Sequence, residues 1–211
     1  WPPPCPRPER LRLSFLLVAA CLAVAGCAHE KPAVRDAAYV EILRVKISKV
    51  RNAIAETREA IVGSRGASYS PELYLRLAEL MSEEARYHHR VAVEREQRSS
   101  ETLHVPEVRL LKEQAIGVYK TILKEFPDSG LSDKVLSNIG HEHRELGNYD
   151  EMQQFLGQLI REYPQSPLKN EALLVLGDYH FDRSELEEAR SSYKKITDAE
   201  PGPVTELAYY K

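Results

Sequence analysis

Phe126-Pro127-Asp128-Ser129 recurs as Tyr163-Pro164-Gln165-Ser166 and, more loosely, as Glu200-Pro201-Gly202-Pro203. The proline of each copy lies 37 residues after the previous one, and Gly140 and Gly177 share that spacing. A fixed period of this length is typical of chains built from stacked copies of one supersecondary unit. The sequence therefore predicts a repeat architecture with a turn near each proline.

Each predicted unit consists of two helices separated by a short turn. Ser166 suits the N-cap of a first helix, and Pro167 suits its first helical position. Ser184-Glu185-Leu186-Glu187 has the capping-box pattern that begins a second helix. In the preceding unit, Gly147 ends the first helix and Asn148 caps the second. Apolar residues follow at helical spacing in both second helices: Leu186, Ala189, Tyr193 and Ile196, and Tyr149, Met152, Leu156 and Leu159.

These units resemble the tetratricopeptide repeat in their order of large, small, aromatic and proline positions. The matching residues are Leu173, Leu176, Gly177, Ala189, Tyr193 and Pro201 in one unit, and Leu136, Ile139, Gly140, Tyr149 and Pro164 in the other. The resemblance implies an all-α helix-turn-helix solenoid, wound as a right-handed superhelix. The period exceeds the family's usual value of about 34 residues, and it is similar to the BamD/YbgF-type repeats of periplasmic and outer-membrane proteins.

The predicted array covers residues 70–211 with about three repeats. Its first unit departs from the pattern, because the helix that begins at Ser70 carries a charged run as far as Arg98. A loop from Ser99 to Val105 and a second helix from Pro106 are expected to follow. The overrunning helix could serve as an end cap or as a docking element.

A binding groove on the concave face is what the family resemblance implies. The groove positions of the family fall on Lys134, Ser137, His141, Arg144 and Glu145 in the middle unit, and on Glu171, Leu174, Asp178, Phe181 and Asp182 in the last. Concave surfaces of this kind bind extended peptides or partner helices. No catalytic residue is predicted.

The last unit leaves apolar side chains where a terminal repeat is normally polar. Leu207 and Tyr210 stand just before Lys211, so we expect the array to continue beyond that residue. Leu174 and Phe181 then have two interpretations. They could form a contact hot spot on an open groove, or they could be buried by a following repeat.

A long helix precedes the array, in the segment 36–66. Val40, Leu43, Ile47, Val50, Ile54, Thr57 and Ile61 alternate steps of three and four residues along it. That spacing is close to the minimum for a coiled coil, which would allow self-association through residues 36–64. A helix that packs its stripe on the first repeat explains the same pattern. Gly63 to Gly66 forms a break after the helix.

The N-terminal segment has the plan of a secretory signal. Arginines precede an uncharged stretch from Leu13 to Ala28, which is too short for a spanning helix of about 20 residues. Leu22 to Cys27 ends Val-Ala-Gly-Cys and resembles the lipobox of bacterial lipoproteins. The resemblance implies a signal peptide at 1–26, lipidation of Cys27, a lipid-anchored linker at 27–35 and, since Ala28 is not aspartate, the outer membrane. Leu11 could be the true start. An ordinary cleaved signal or a buried N-terminal helix would be the alternatives.

Composition excludes several classes of function. The net charge of −3 gives no basic field for nucleic acid. Only Cys27 of the three cysteines would remain in a processed chain, which leaves no disulfide or cysteine metal site. His141 and His143 are two residues apart, whereas the zinc motif needs a separation of four. His143 and His180 are expected to complete helix interfaces, and His88-His89 to lie on a solvated face. No metal or cofactor is predicted.

The expected function is an outer-membrane-anchored periplasmic scaffold that binds protein partners in a cell-envelope machine. Outer-membrane protein assembly, pilus or secretion systems, and motility are the candidate machines. A self-associating cell-wall or division coordinator of YbgF type is one alternative. A repeat lipoprotein that binds a small ligand is another.

Overall fold

Eight helices make up the part of the chain that the computed structural model describes, residues 37–64, 66–96, 105–198 and 202–211. They are α1 (Ala37–Gly63), α2 (Ser70–Glu96), α3 (Pro106–Glu125), α4 (Ser132–Glu145), α5 (Tyr149–Glu162), α6 (Lys169–Asp182), α7 (Leu186–Thr197) and α8 (Pro203–Tyr209). No strand occurs within these ranges, and the predicted all-α helix-turn-helix solenoid is confirmed. The predicted signal peptide at 1–26, Cys27, the linker at 27–35, most of the loop at 99–105 and Pro201 lie outside the described residues.

Helices α1 and α2 form an antiparallel hairpin. The turn between them is closed by Ser70, whose Oγ donates to the backbone oxygen of Ser64 at 2.6 Å. Leu43 near the start of α1 lies in one apolar cluster with Val91 near the end of α2. Ile54, further along α1, lies in another with Leu75 near the start of α2.

The apolar stripe of α1 is the contact surface of this hairpin. Five of its residues are buried, and Ile61 is partly buried against the same core. The five are Val40, Leu43, Ile47, Val50 and Ile54. Of the two interpretations that the heptad spacing allowed, the structure shows the one in which the stripe packs on the first repeat.

Helix α2 is 27 residues long, whereas α4, α5 and α6 have 14 residues each. Its overrun continues to Glu96, and Tyr87 and Val91 on that overrun contact α1. Helix α3 packs on the other side, with Tyr119 and Ile122 almost fully buried in the same core as Leu77 and Met81 of α2.

The two regular helix pairs, α4/α5 and α6/α7, depend on one glycine each. A Cβ at Gly140 would stand 2.6 Å from Cγ of Leu156, and a Cβ at Gly177 would stand 2.5 Å from Cε1 of Tyr193. Both distances are far below a van der Waals contact. The glycines therefore allow the second helix of each pair to approach the first closely.

The turn inside each pair needs a left-handed residue. Gly147 has φ 75° and Ser184, 37 residues later, has φ 63°. The next residue in each turn donates its backbone N–H to the first helix, from Asn148 to His143 and from Glu185 to His180, both at 2.9 Å. The predicted capping box at Ser184 is wrong, because Ser184 lies in the turn after α6 in this conformation and Glu185 stands at the N-cap of α7.

The turns between pairs also differ in detail from the prediction. Helix α6 begins at Lys169, two residues after Pro167. Ser166 nevertheless accepts a hydrogen bond at its Oγ from the backbone N–H of Leu168 at 3.1 Å. Asn148 stands at the N-cap of α5, but its side chain makes no capping hydrogen bond.

Successive pairs stack through shared apolar clusters. Leu136 of α4, Met152 and Leu156 of α5, and Ala172 and Val175 of α6 form one buried cluster. Leu173, Tyr193 and Ala208 take part in the next one, which joins α6, α7 and α8. Within the described ranges, no helix combines the length and the apolar character that crossing a membrane would require.

Candidate functional site

A polar groove of about 500 Å³ crosses the first helices of the successive units. Its lining residues are Arg76, Glu79, Ser82, Glu83 and Arg86 on α2, Asn138, His141, Glu142 and Glu145 on α4, Glu171 on α6, and Tyr119 on α3. Three of the sequence-predicted groove residues, His141, Glu145 and Glu171, are among them.

Polar contacts between neighbouring first helices form the rim of this groove. Lys134 Nζ lies 2.8 Å from Glu79 Oε1, which joins α4 to α2. His141 Nε2 lies 3.5 Å from Glu171 Oε1, which brings α4 close to α6. Both pairs are partly exposed, so each contributes about 0–1 kcal/mol to stability. Their charges stay accessible to a partner.

Two further predicted positions differ in their burial. Arg144 is exposed at the end of α4. Ser137 is 4% exposed, so its side chain is buried and does not face the groove opening. The family position places Ser137 on the first helix, but packing of the neighbouring elements has already removed it from solvent.

At the last unit the predicted residues separate into two environments. Asp178 Oδ1 accepts a hydrogen bond from the hydroxyl of Tyr193 at 2.7 Å and lies 3.2 Å from Nζ of Lys211. Burial, together with this carboxylate, raises the pKa of Tyr193. Asp182 is exposed. Asp178 therefore stabilises the α6–α7 contact as well as carrying charge.

Leu174 and Phe181 do not form one hot spot. Leu174 is partly buried against the cluster around Leu173 and Ala208. Phe181 is 51% exposed and lines a separate, mostly apolar groove of about 440 Å³ with residues of α7 and α8. The polar groove and the apolar groove are therefore different surfaces.

A buried lysine fixes the floor of the polar groove. Lys112 Nζ lies 2.7 Å from Glu142 Oε2 and 2.5 Å from Glu145 Oε2. The side chains of Lys112 and Glu142 are 5% and 8% exposed. Sequence reasoning missed this cluster, although Lys112 interrupts the apolar stripe of α3, with Val108 before it and Ala115 after it.

Two hydroxyl groups lie beside this ion cluster. The Tyr119 hydroxyl accepts a hydrogen bond from Asn138 Nδ2 at 3.2 Å. Burial, followed by the charges of Glu142 and Glu79, raises the pKa of Tyr119. Ser82 Oγ is buried close to the Tyr119 hydroxyl. The floor of the groove thus keeps fixed polar groups below its charged rim.

Three histidines of the repeat pairs α4/α5 and α6/α7 lie in different environments. His141 lies in the groove, whereas His143 is buried and stacks on Phe155, with 5.6 Å between ring centroids. Burial, aided by the charge of Lys120, lowers the pKa of His143. His180 Nδ1 lies 2.7 Å from Glu185 Oε2 at a helix end.

His88 corrects the prediction of a solvated face. Its side chain is only 16% exposed and lies between Glu84 and Glu107, with 3.5 Å to Glu84 Oε1 and 3.3 Å to Glu107 Oε2. Helix α1 supplies the reason, because it covers this part of α2 and adds Arg51 to the cluster.

Stacked helix pairs with a 37-residue period define a helical-repeat protein, a class that typically works as a non-catalytic scaffold for protein–protein interaction. A family model described as the tetratricopeptide repeat matches residues 143–166, which run from the end of α4 through α5 into the next turn. This match supports a tetratricopeptide repeat protein. Among proteins with curated descriptions, none matches the chain.

Proposed function

We propose that this chain is a lipid-anchored scaffold of the bacterial outer membrane, and that its polar groove holds a protein partner of a cell-envelope machine on the periplasmic side. The observation that carries the binding role is the groove across α2, α4 and α6, with its accessible charges and fixed polar floor. The anchor rests on the lipobox-like sequence that ends at Cys27.

The groove suits a partner segment better than a small ligand. It is open, polar and extends over three helices, whereas small-molecule sites are usually enclosed and mostly apolar. Arg76 and Arg86 stand ten residues apart on α2, which separates them by roughly 15 Å at 1.5 Å per residue. A partner that contacts both must follow the helix for several residues. An extended peptide or a partner helix meets that requirement.

A crosslinking pull-down from cell envelopes tests the proposal. The chain is compared with Cys27→Ala, with the double variant Arg76→Glu/Arg86→Glu, and with Arg109→Glu as a matched control on the exposed face of α3. We expect a discrete set of partners that the groove variant loses and the control keeps. Loss in Cys27→Ala as well would support the anchor, and the partners would show whether the machine serves outer-membrane protein assembly, pilus or secretion systems, or motility.

One result would contradict the groove role, and two others would favour a different function. Equal recovery by the groove variant and the control would contradict the groove role. A trimer in light scattering would favour a self-associating coordinator of YbgF type. A small molecule retained through purification would favour a ligand-binding repeat protein.

A further inference from the structure

Three metal-binding side chains meet where α1, α2 and α3 join. Glu84 and His88 are four residues apart on α2 and therefore share one face of the helix. Glu107 in the first turn of α3 faces them, and the three donor atoms all lie within 4.8 Å of one another. Glu84 is buried, His88 is mostly buried and Glu107 is half exposed.

The spacing of these donors suits a tetrahedral ion. His88 Nε2 and Glu84 Oε1 are 3.5 Å apart. Two ligands at Zn–N and Zn–O distances of about 2.0–2.2 Å, with a tetrahedral angle between them, would be roughly 3.4 Å apart. Small movements of the half-exposed Glu107 would bring in the third donor.

The Nε2 atom of His88 is also suitable as a metal ligand. Arg51 approaches His88 Nε2 at 3.1 Å, and arginine can only donate, so this nitrogen carries a lone pair. The other ring nitrogen, Nδ1, lies 3.3 Å from Glu107 Oε2.

A cation already occupies the place of convergence, namely the guanidinium of Arg51. Its nitrogens lie 2.5 Å from Glu84 Oε1 and 2.9 Å from Glu107 Oε1, as well as 3.1 Å from His88. The Arg51 side chain is 52% exposed, so it can turn into water when another cation takes its place beside the buried Glu84. A groove of about 210 Å³ lies next to the cluster, and Arg51 and Glu84 help to line it.

We propose that Glu84, His88 and Glu107 form a binding site for a divalent transition metal ion, best matched by Zn²⁺, which exchanges with the guanidinium of Arg51. Imidazole and carboxylate ligands suit Zn²⁺, and the two carboxylates neutralise its charge. The bound ion would join α2 to α3 and would release the contact that Arg51 makes from α1.

Binding of ZnCl₂ to the chain by calorimetry tests this inference, and Co²⁺ absorption reports the ligand geometry. We expect one ion per chain and at least ten-fold weaker binding in His88→Ala. His89→Ala is the matched control on the same helix and should bind as the unmodified chain does. Arg51→Ala should bind at least five-fold more tightly, because the competing cation is gone.

The Arg51 variant keeps the test decisive if His88→Ala folds poorly, and circular dichroism checks the fold of each variant. Equal binding by His88→Ala and His89→Ala would overturn the site. Unchanged or weaker binding by Arg51→Ala would overturn the exchange. Neither result depends on whether the polar groove binds a partner.

Discussion

Replacing Gly177 with alanine tests the close approach of α6 and α7. The new Cβ would stand 2.5 Å from Cε1 and 2.8 Å from Cδ1 of Tyr193, so the ring or the helix must move. The ring is 7% exposed, and its hydroxyl is held by Asp178 at 2.7 Å, which leaves it little room. Moving it would therefore strain both the packing and this hydrogen bond.

The expected change in the free energy of unfolding is the sum of opposing contributions. Overpacking of a buried site costs about 1–3 kcal/mol. A hydrogen bond to a charged acceptor contributes about 1.5–3 kcal/mol, and weakening this bond loses part of that amount. Alanine in place of glycine gains about 1 kcal/mol within a helix. The net effect is a loss of about 1–3 kcal/mol in the free energy of unfolding.

Urea unfolding followed by circular dichroism measures this loss. Gly117→Ala in α3 is the matched control, because nothing lies within 4 Å of its new Cβ, and it should gain about 0.5–1 kcal/mol. In a Tyr193→Ala background, Gly177→Ala should become neutral or stabilising. The reasoning is refuted if Gly177→Ala raises the stability as Gly117→Ala does.

Three further predictions use the same unfolding measurement. Ser184→Gly should add about 1 kcal/mol, because glycine accepts the left-handed conformation that Gly147 already has in the equivalent turn. Lys112→Met should cost about 3–5 kcal/mol by leaving Glu142 as an unpaired buried charge, and adding Glu142→Leu should restore most of it. His143 has a lowered pKa when folded, so the unfolded chain takes up its proton first as the pH falls below about 6.5. Stability should therefore decrease from pH 7 to pH 5 by at most about 1.4 kcal/mol per pH unit for this group, and His143→Gln should lack that part.

The repeat period was readable from the sequence because it rests on steric requirements. Gly140 and Gly177 are needed where a second helix crosses the first, and no larger residue fits without movement. The apolar residues of α5 and α7 had to recur at helical spacing to fill the clusters beneath them. These packing constraints act within one helix pair and its neighbour, so they leave a pattern in the amino-acid sequence of a single protein.

The caps were less predictable, because the capping patterns record residue types without their place in the repeat. Ser184 is followed by Glu187 three positions later and so matches a capping box. Its register with Gly147 places it instead in the turn after α6, where a positive φ is required. Comparison of the two units, rather than of each with a general pattern, would have revealed this.

The features of the site that the sequence did not predict depend on contacts between residues far apart in the chain. Lys112 and Glu142 come from different units, and Ser137 is removed from solvent by elements outside its own helix. The pair Glu84 and His88 showed helical spacing, but Arg51 and Glu107 join it only through the packing of α1 and α3 on α2. Sequence spacing alone does not report such contacts.

The packing of α1 bears on self-association and on the reach of the proposed lipid anchor. Five aliphatic residues of its stripe are buried against the first repeat, and each contributes about 1.5–3 kcal/mol by leaving water. Self-association through the same stripe would have to replace those contacts before it stabilised anything. If Cys27 carries a lipid, as we propose, the ten residues from there to Ala37 would form the tether, and they can span at most about 36 Å. On the proposed function, the first residue of α1 would therefore lie within about that distance of the membrane surface.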